Sequence, residues 1–222
     1  MIFFDIDGTL LDHKKAERLA AISFKNQVDV FGDLSADDFA ERWHHLAEKH
    51  ISIYLDGHVS FKEQRRARLR ELFDSDIEDQ ECDLLFNDYL IHYEENWLLF
   101  PDVLDCIKEL EGYQLGIISN GDSYQQRRKL EKLGLLGFFS QVVISSEVGI
   151  SKPDQGIFQY ACKSISKLPP ECFYVGDNYV LDAEGSRNSG MNGIWLNRAK
   201  GGRQSAGTTI DSLSELKDNL TR

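Results

Sequence analysis

Four short segments of the chain carry side chains suited to phosphate or metal. They are Asp5-Ile6-Asp7-Gly8-Thr9, Ser119-Asn120-Gly121, the stretch from Ser145 to Pro153 that includes Lys152, and Gly176-Asp177-Asn178, with Asp182 five residues after Asp177. Carboxylates offer hard oxygen ligands to a divalent cation, a lysine offers a point charge to a phosphate group, and a serine hydroxyl offers a donor. Each segment also has an ordinary reading. DxDG can be a turn, SNG a loop, KP a helix boundary and GDN the turn after a strand. The occurrence of all four together makes catalysis the stronger reading.

These segments need elements that bring them to one place. Met1 to Phe4 is a short apolar run that stops at Asp5, as a buried strand does where its C-terminal end meets a site. From about His13 to Asn96 there is no proline and apolar residues recur at helical spacing, which predicts an insert of about four helices. Ser35 to Asp38 and Ser60 to Glu63 have the capping-box pattern that starts helices. Beyond Pro101 the texture alternates. Strands are predicted at Leu115 to Ile118, Val142 to Ile144, Cys172 to Val175 and around Gly193 to Leu196. Helices are predicted to about Leu110, from Gln125 to Leu133, after Pro153 and near Leu181 to Ser189. The stretch from Gly201 to Gly207 reads as a loop, Thr208 to Ile210 as a last strand and Ser212 to Glu215 as the cap of a final helix. The fold class is therefore α/β: a Rossmann-like parallel sheet with helices on both faces, plus an inserted helical bundle. In such sheets ligands bind beyond the carboxyl ends of the strands, which is where the four segments fall.

The bulk numbers agree with a folded enzyme or binding domain. Hydrophobic residues make up 41% and charged residues 28% of 222. With 37 acidic against 25 basic residues the net charge is −12, which argues against a nucleic-acid polymer as partner but not against a small phosphorylated metabolite. The four cysteines have no zinc spacing, and no apolar stretch approaches membrane-spanning length. The expected compartment is the cytoplasm, with no membrane partner; nothing here bears on the oligomeric state.

Asp5-Ile6-Asp7-Gly8-Thr9-Leu10 resembles the DxDGTL signature of the haloacid dehalogenase superfamily, and the later motifs follow in the family's order. Ser119-Asn120-Gly121 resembles motif II, Lys152-Pro153 motif III, and Gly176-Asp177-Asn178 with Asp182 the GDxxxxD form of motif IV. The resemblance implies a core over residues 1–12 and 97–222 and a helical cap of type C1 over 13–96, closing over the strand ends. It also implies roles for the residues. Asp5 is the nucleophile that becomes phosphorylated, and Asp7 the acid that protonates the leaving oxygen and then activates water. Asp5, Asp177 and the Asp7 carbonyl are the ligands of Mg2+. Lys152, Ser119 and Asn120 bind the phosphate, Asp182 orients Lys152 or a metal-bound water, and Asn178 lies near the metal.

An alkoxide leaving group needs a proton and a halide does not, so Asp7 argues for phosphate esters over dehalogenation. A phosphomutase of the β-phosphoglucomutase type retains both aspartates and is the enzymatic alternative; a catalytically silent phosphate-binding module is the non-enzymatic one. From Ile117 to Asn197 the core is similar to pyrimidine 5′-nucleotidases, which implies a nucleoside 5′-monophosphate among the small phosphomonoesters. Trp43, His44, His45, Lys49, Tyr54, Arg65 and Arg66 are the candidate substrate contacts of the cap.

Overall fold

Six strands of the computed structural model, which describes residues 1–28, 31–202 and 207–220, form one parallel sheet. In chain order they are β1 (Ile2–Phe4), β2 (Leu115–Ser119), β3 (Gln141–Ile144), β4 (Phe173–Gly176), β5 (Asn192–Leu196) and β6 (Thr208–Ile210). Their spatial order is β3-β2-β1-β4-β5-β6. The sheet grows from β1 through β2 to β3, and the chain then crosses to the other side of β1 for β4. The strand order reverses at β1, so the loops after β1, β2 and β4 open at one crevice. Every residue of β1 and β2 is buried, as expected of central strands covered on both faces. The register sets Phe4 beside Ile117 on one flank and beside Val175 on the other.

The helices of this unit are α5 (Val103–Glu109), α6 (Ser123–Lys132), α7 (Ser145–Val148), α8 (Gln155–Ser164) and α9 (Gly185–Asn188). Asp122 caps α6 by accepting from the Gln125 amide at 2.9 Å, and Asp154 caps α8 by accepting from the Gly156 amide at 2.7 Å. Two expectations need correction. The helix predicted near Leu181 to Ser189 opens with a wide π turn at Tyr179–Glu184, closed by Ala183 N on Asn178 O at 3.4 Å, and only then becomes α9. That turn carries Asp182 inward, and such turns recur at functional sites. The final helix is instead a pair of 3₁₀ turns, Leu213–Glu215 and Lys217–Asn219. Leu213 and Leu216 are both buried there, and a three-residue spacing stacks side chains on one side of a 3₁₀ turn. Of the loop predicted after Gly201, residues 203–206 lie outside the described residues.

The chain divides into two compact units, one of Met1–Asp12 with Leu98–Arg222 and one of His13–Trp97. The second is a bundle of α1 (His13–Val28), α2 (Ala36–Leu55), α3 (Phe61–Phe73) and α4 (Asp79–Glu95). Ser60 and Glu63 form a complete capping box on α3; on α2 the Ser35 hydroxyl accepts from the Asp38 amide at 3.1 Å. The bundle's core is aromatic. Trp43 is fully buried, its ring centroid 4.3 Å from that of Tyr89 and 5.6 Å from that of Phe24. No helix among the described residues is long and apolar enough to cross a membrane.

Candidate active site

Asp5 is the first residue past β1, and its amide still pairs with Val175 O at 2.9 Å. Strand geometry thus fixes the backbone from which its side chain leaves the sheet. Asp5 is 6% exposed and its carboxylate meets Lys152, whose Nζ lies 2.7 Å from Asp5 Oδ1 and 2.7 Å from Asp182 Oδ1. The third Lys152 proton reaches the phenol oxygen of Tyr174 at 2.9 Å, and that phenol donates to Ile118 O at 2.8 Å. An ammonium has three donors, and each has an acceptor here. Burial alone would push the Lys152 ammonium toward neutrality, but Asp182 and Asp5 outweigh it and hold the group above the usual lysine range.

Asp177 follows β4 and completes a triad of carboxylates. Asp5, Asp177 and Asp182 each present an oxygen within 4.8 Å of the others. The Asp177 amide donates to Thr9 Oγ1 at 3.0 Å, and Trp195 Nε1 donates to Asp177 O at 2.9 Å. Gly8 makes this approach possible: it has φ +85°, and a Cβ there would collide with the Asp177 carboxylate. Gly176 does the same for Asp182, which fills the space that a side chain at 176 would need. The loop carrying Gly8 and Thr9 is tied down from behind. Arg198 Nη2 donates to Thr9 O at 2.8 Å, and its guanidinium pairs with both oxygens of Asp102 at 2.9 Å.

One ammonium facing three carboxylates leaves the site short of positive charge. Asp177 is pushed up to about 8, first by burial and then by Asp5 and Asp182. Asp5 is raised to about 6 by burial, with Lys152 opposing and Asp182 and Asp7 adding. A divalent cation among these oxygens would offset that cost, and an all-oxygen donor set suits Mg2+ rather than zinc. Both oxygens of Asp182 are engaged, one by Lys152 and the other by the Asn178 amide at 3.0 Å, so Asp5 and Asp177 are the carboxylates best placed to hold an ion. Asn178 is exposed, and its side-chain oxygen caps the amides of Val180 and Leu181 at 3.1 and 3.0 Å.

Asp7 is part-exposed and turns toward α6. Lys129 Nζ lies 2.7 Å from each Asp7 oxygen, and Gln126 Nε2 lies 3.0 Å from Oδ2. The same Gln126 nitrogen donates to Ser119 Oγ at 2.8 Å. Asn120 pairs with the backbone of Lys152 in both directions, accepting from its amide at 2.8 Å and donating to its carbonyl at 3.0 Å. The structure therefore gathers Asp5, Asp7, Ser119, Asn120, Lys152, Asp177 and Asp182 around the ends of β1, β2 and β4. Three residues absent from the sequence reading join them: Tyr174, Gln126 and Lys129. The last two had no signal in the polar sequence of α6, and only its packing places them on the inward face with Leu130.

The residues singled out in the helical unit have partners there. His44 Nδ1 sits 2.7 Å from buried Glu17, Lys49 Nζ donates to Glu71 at 2.7 Å, and Arg66 pairs with Asp79 and Asp83. Arg65 lies over the Phe61 ring, which also packs on Tyr54, while His45 is exposed.

The model of the family described as haloacid dehalogenase-like hydrolase matches residues 1–190. The chain belongs to that family. This hydrolase is 31% identical to the glyceraldehyde 3-phosphate phosphatase of Methanothermobacter thermautotrophicus over 235 residues, covering 99% of its own chain and 98% of the relative. It is 25% identical to the N-acylneuraminate-9-phosphatase of Mus musculus over 210 residues, 89% of its own chain and 82% of the relative. Among solved structures it is similar to YfnB from Bacillus subtilis bound to magnesium, with a TM-score of 0.83, 25% identity, and 100% and 98% of the two chains covered. These similarities set the hydrolase among enzymes of phosphoric monoesters.

Proposed function

We propose that this hydrolase is a Mg2+-dependent phosphatase of small phosphomonoesters that works through a covalent phosphoryl group on Asp5. The observation that carries the reading is the buried pairing of Lys152 with Asp5 and Asp182, with Asp177 alongside, at the ends of adjacent strands. Lys152 holds Asp5 as a carboxylate and offers its charge to the entering phosphate, with the Ser119 hydroxyl and the Asn120 amide as further donors. Mg2+, held by Asp5, Asp177 and the Asp7 carbonyl, would neutralise charge as the anionic nucleophile meets the anionic ester.

In the first step an Asp5 oxygen attacks phosphorus, the bond between phosphorus and the alcohol oxygen breaks, and Asp7, having taken up a proton from the entering monoester or from solvent, gives it to the departing oxygen. Asp7, now a carboxylate, takes a proton from water as the water oxygen attacks phosphorus. The bond from Asp5 to phosphorus breaks, inorganic phosphate leaves, and both aspartates are restored. Asp182 keeps Lys152 in place, and Asn178 supports the Asp177 loop. The four-helix insert is the cap that chooses the leaving alcohol.

Two lines of support bear on the substrate class. The named relatives act on a triose phosphate and on the 9-phosphate of an N-acylneuraminate, whereas the segment from Ile117 to Asn197 resembles nucleotide-directed members. Phosphate release from p-nitrophenyl phosphate, glyceraldehyde 3-phosphate, N-acetylneuraminate 9-phosphate and the nucleoside 5′-monophosphates tests both, with Asp5→Asn as control. Mg2+-dependent release that drops on the order of 10⁴-fold in Asp5→Asn is the expected result. Equal release by Asp5→Asn would exclude the covalent route, and the ester with the highest kcat/KM names the class.

A further inference from the structure

We infer that Lys129 and Gln126 are positioning residues for Asp7, holding its carboxylate where it can serve the leaving oxygen; this rests on the reading of Asp7 as the proton carrier. The two side chains stand three residues apart on α6, on the same inward face, and are 2% and 1% exposed. A buried lysine and a buried glutamine on a ten-residue helix whose remaining face is solvated are costly to keep without partners. Lys129 takes both Asp7 oxygens at 2.7 Å, and Gln126 reaches one of them at 3.0 Å.

Gln126 does more than repeat the Lys129 contact. Its Nε2 also lies 2.8 Å from Ser119 Oγ and 3.2 Å from Asn120 O, so one amide spans the aspartate of the first loop and the serine that ends β2. Asp7 sits on a loop beyond β1, with a neighbouring glycine in the left-handed region, and backbone alone does not fix its χ angles. Two contacts from a helix capped by Asp122 do fix them. Proton transfer demands heavy atoms within hydrogen-bond reach, so a carboxylate left to rotate would lose rate without losing substrate affinity.

The test reads kcat/KM, which covers the steps up to departure of the alcohol, on two monoesters in saturating Mg2+. p-Nitrophenolate leaves with little need of a proton; an alkyl alcohol such as that of glycerol phosphate needs one. Lys129→Met is expected to lower kcat/KM on the alkyl ester by about 10- to 100-fold and on p-nitrophenyl phosphate by no more than about threefold. Lys129→Arg recovers most of the alkyl activity. Should Lys129→Met not fold, Lys129→Gln, which keeps a donor but no charge, takes its place. Equal losses on both esters, or no loss, would overturn the inference. Asp7→Asn run in parallel separates the two ideas. If Asp7→Asn is selective for the alkyl ester and Lys129→Met is not, this inference alone fails; if Asp7→Asn is itself unselective, the proton-carrier reading of Asp7 fails and takes the inference with it.

Discussion

Buried charge is treated differently in the sheet unit and in the four-helix unit. At the strand ends three carboxylates, Asp5, Asp177 and Asp182, converge on the single ammonium of Lys152, and Asp177 is driven up to about 8 by burial and by its two neighbours. In the helical unit Glu17 is buried but has His44 at 2.7 Å, which offsets burial and leaves its carboxyl below the usual range. Arg68, also buried, donates to Gln64 at 3.1 Å and lies over the rings of Trp43 and Phe86, 5.3 and 5.4 Å from their centroids. Removing an ion from water costs several kcal/mol unless neighbours replace the lost solvation. The four helices supply Glu17 with an imidazole and Arg68 with an amide and aromatic faces, although burial still holds Arg68 below the usual arginine range. The three acids at the strand ends share one ammonium. The difference supports the cation proposed for the strand ends, whereas in the helical unit the buried acid is partnered within its own bundle.

Lys152→Met is the most severe way to test that contrast. It removes the one positive charge that three acids share, so activity should fall by on the order of 10³-fold or more, and urea unfolding should show a loss of about 3–5 kcal/mol. A loss under about 1 kcal/mol would mean that the strand ends are not charge-starved. Next in size is the response to metal. Mg2+ that binds only the folded protein at about 100 times its Kd adds about 2.7 kcal/mol to stability, seen as a rise in Tm on titration from an EDTA-treated sample. Asp177→Asn should abolish most of that rise, while Arg68→Met should leave it intact. A rise that survives Asp177→Asn would place the ion elsewhere.

The same contrast explains what could be read in the sequence. Asp5, Ser119, Lys152 and Asp177 were legible because each stands at the end of an apolar run or beside a turn residue, where a polar group has no packing reason to be. Tyr174 was not, because an aromatic inside Phe173–Gly176 looks like core; only its phenol, aimed at Lys152, differs. Gln126 and Lys129 were hidden for the opposite reason. Ser123–Lys132 is polar nearly throughout, so two inward polar residues do not stand out until the helix is packed and 126, 129 and 130 share the buried side. The π turn at Tyr179–Glu184 escaped because propensity describes regular helices, and here the Asn178 side chain caps the first amides while Asp182 turns toward Lys152. In the helical unit the pattern of four helices was plain, but the candidates for substrate contact were chosen by residue type alone. Trp43 proves to be the centre of the aromatic core, and His44, Lys49 and Arg66 are engaged by acids of their own bundle.

Arg68→Met probes the helical side of the contrast. The guanidinium has an amide and two rings for company, and its Nε has no hydrogen-bond partner among the described residues. An apolar side chain of similar length keeps the packing and sheds the desolvation cost. The expected change in urea unfolding is within about 1 kcal/mol in either direction, several-fold less than for Lys152→Met. A loss as large as that of Lys152→Met would show that Arg68 neutralises Glu17 as Lys152 neutralises its acids, and the contrast would dissolve.

The smallest effect belongs to Glu17 and His44, and pH isolates it. His44 is raised from its ordinary 6.5, chiefly by its hydrogen bond to Glu17. Its share of stability is therefore complete below about 6.5 and is lost as pH rises through the folded value. Burial pulls Glu17 upward, but the hydrogen bond from His44 and the charges of His13, His44 and Arg68 bring it below 4.5. Its share is complete above about 4.5 and is lost as pH falls through the folded value. The two windows overlap between about pH 4.5 and 6.5, where the wild type should exceed His44→Gln by less than about 1 kcal/mol, since His44 is 37% exposed and water screens the pair. Thermal melts of both proteins at about pH 5.5 and about pH 8.5 check this. A difference that shrinks at the higher pH is the signature of a bundle that satisfies its buried acid internally. One that is the same at both would mean that His44 contributes by shape rather than by charge, and that Glu17 is held by its other neighbours.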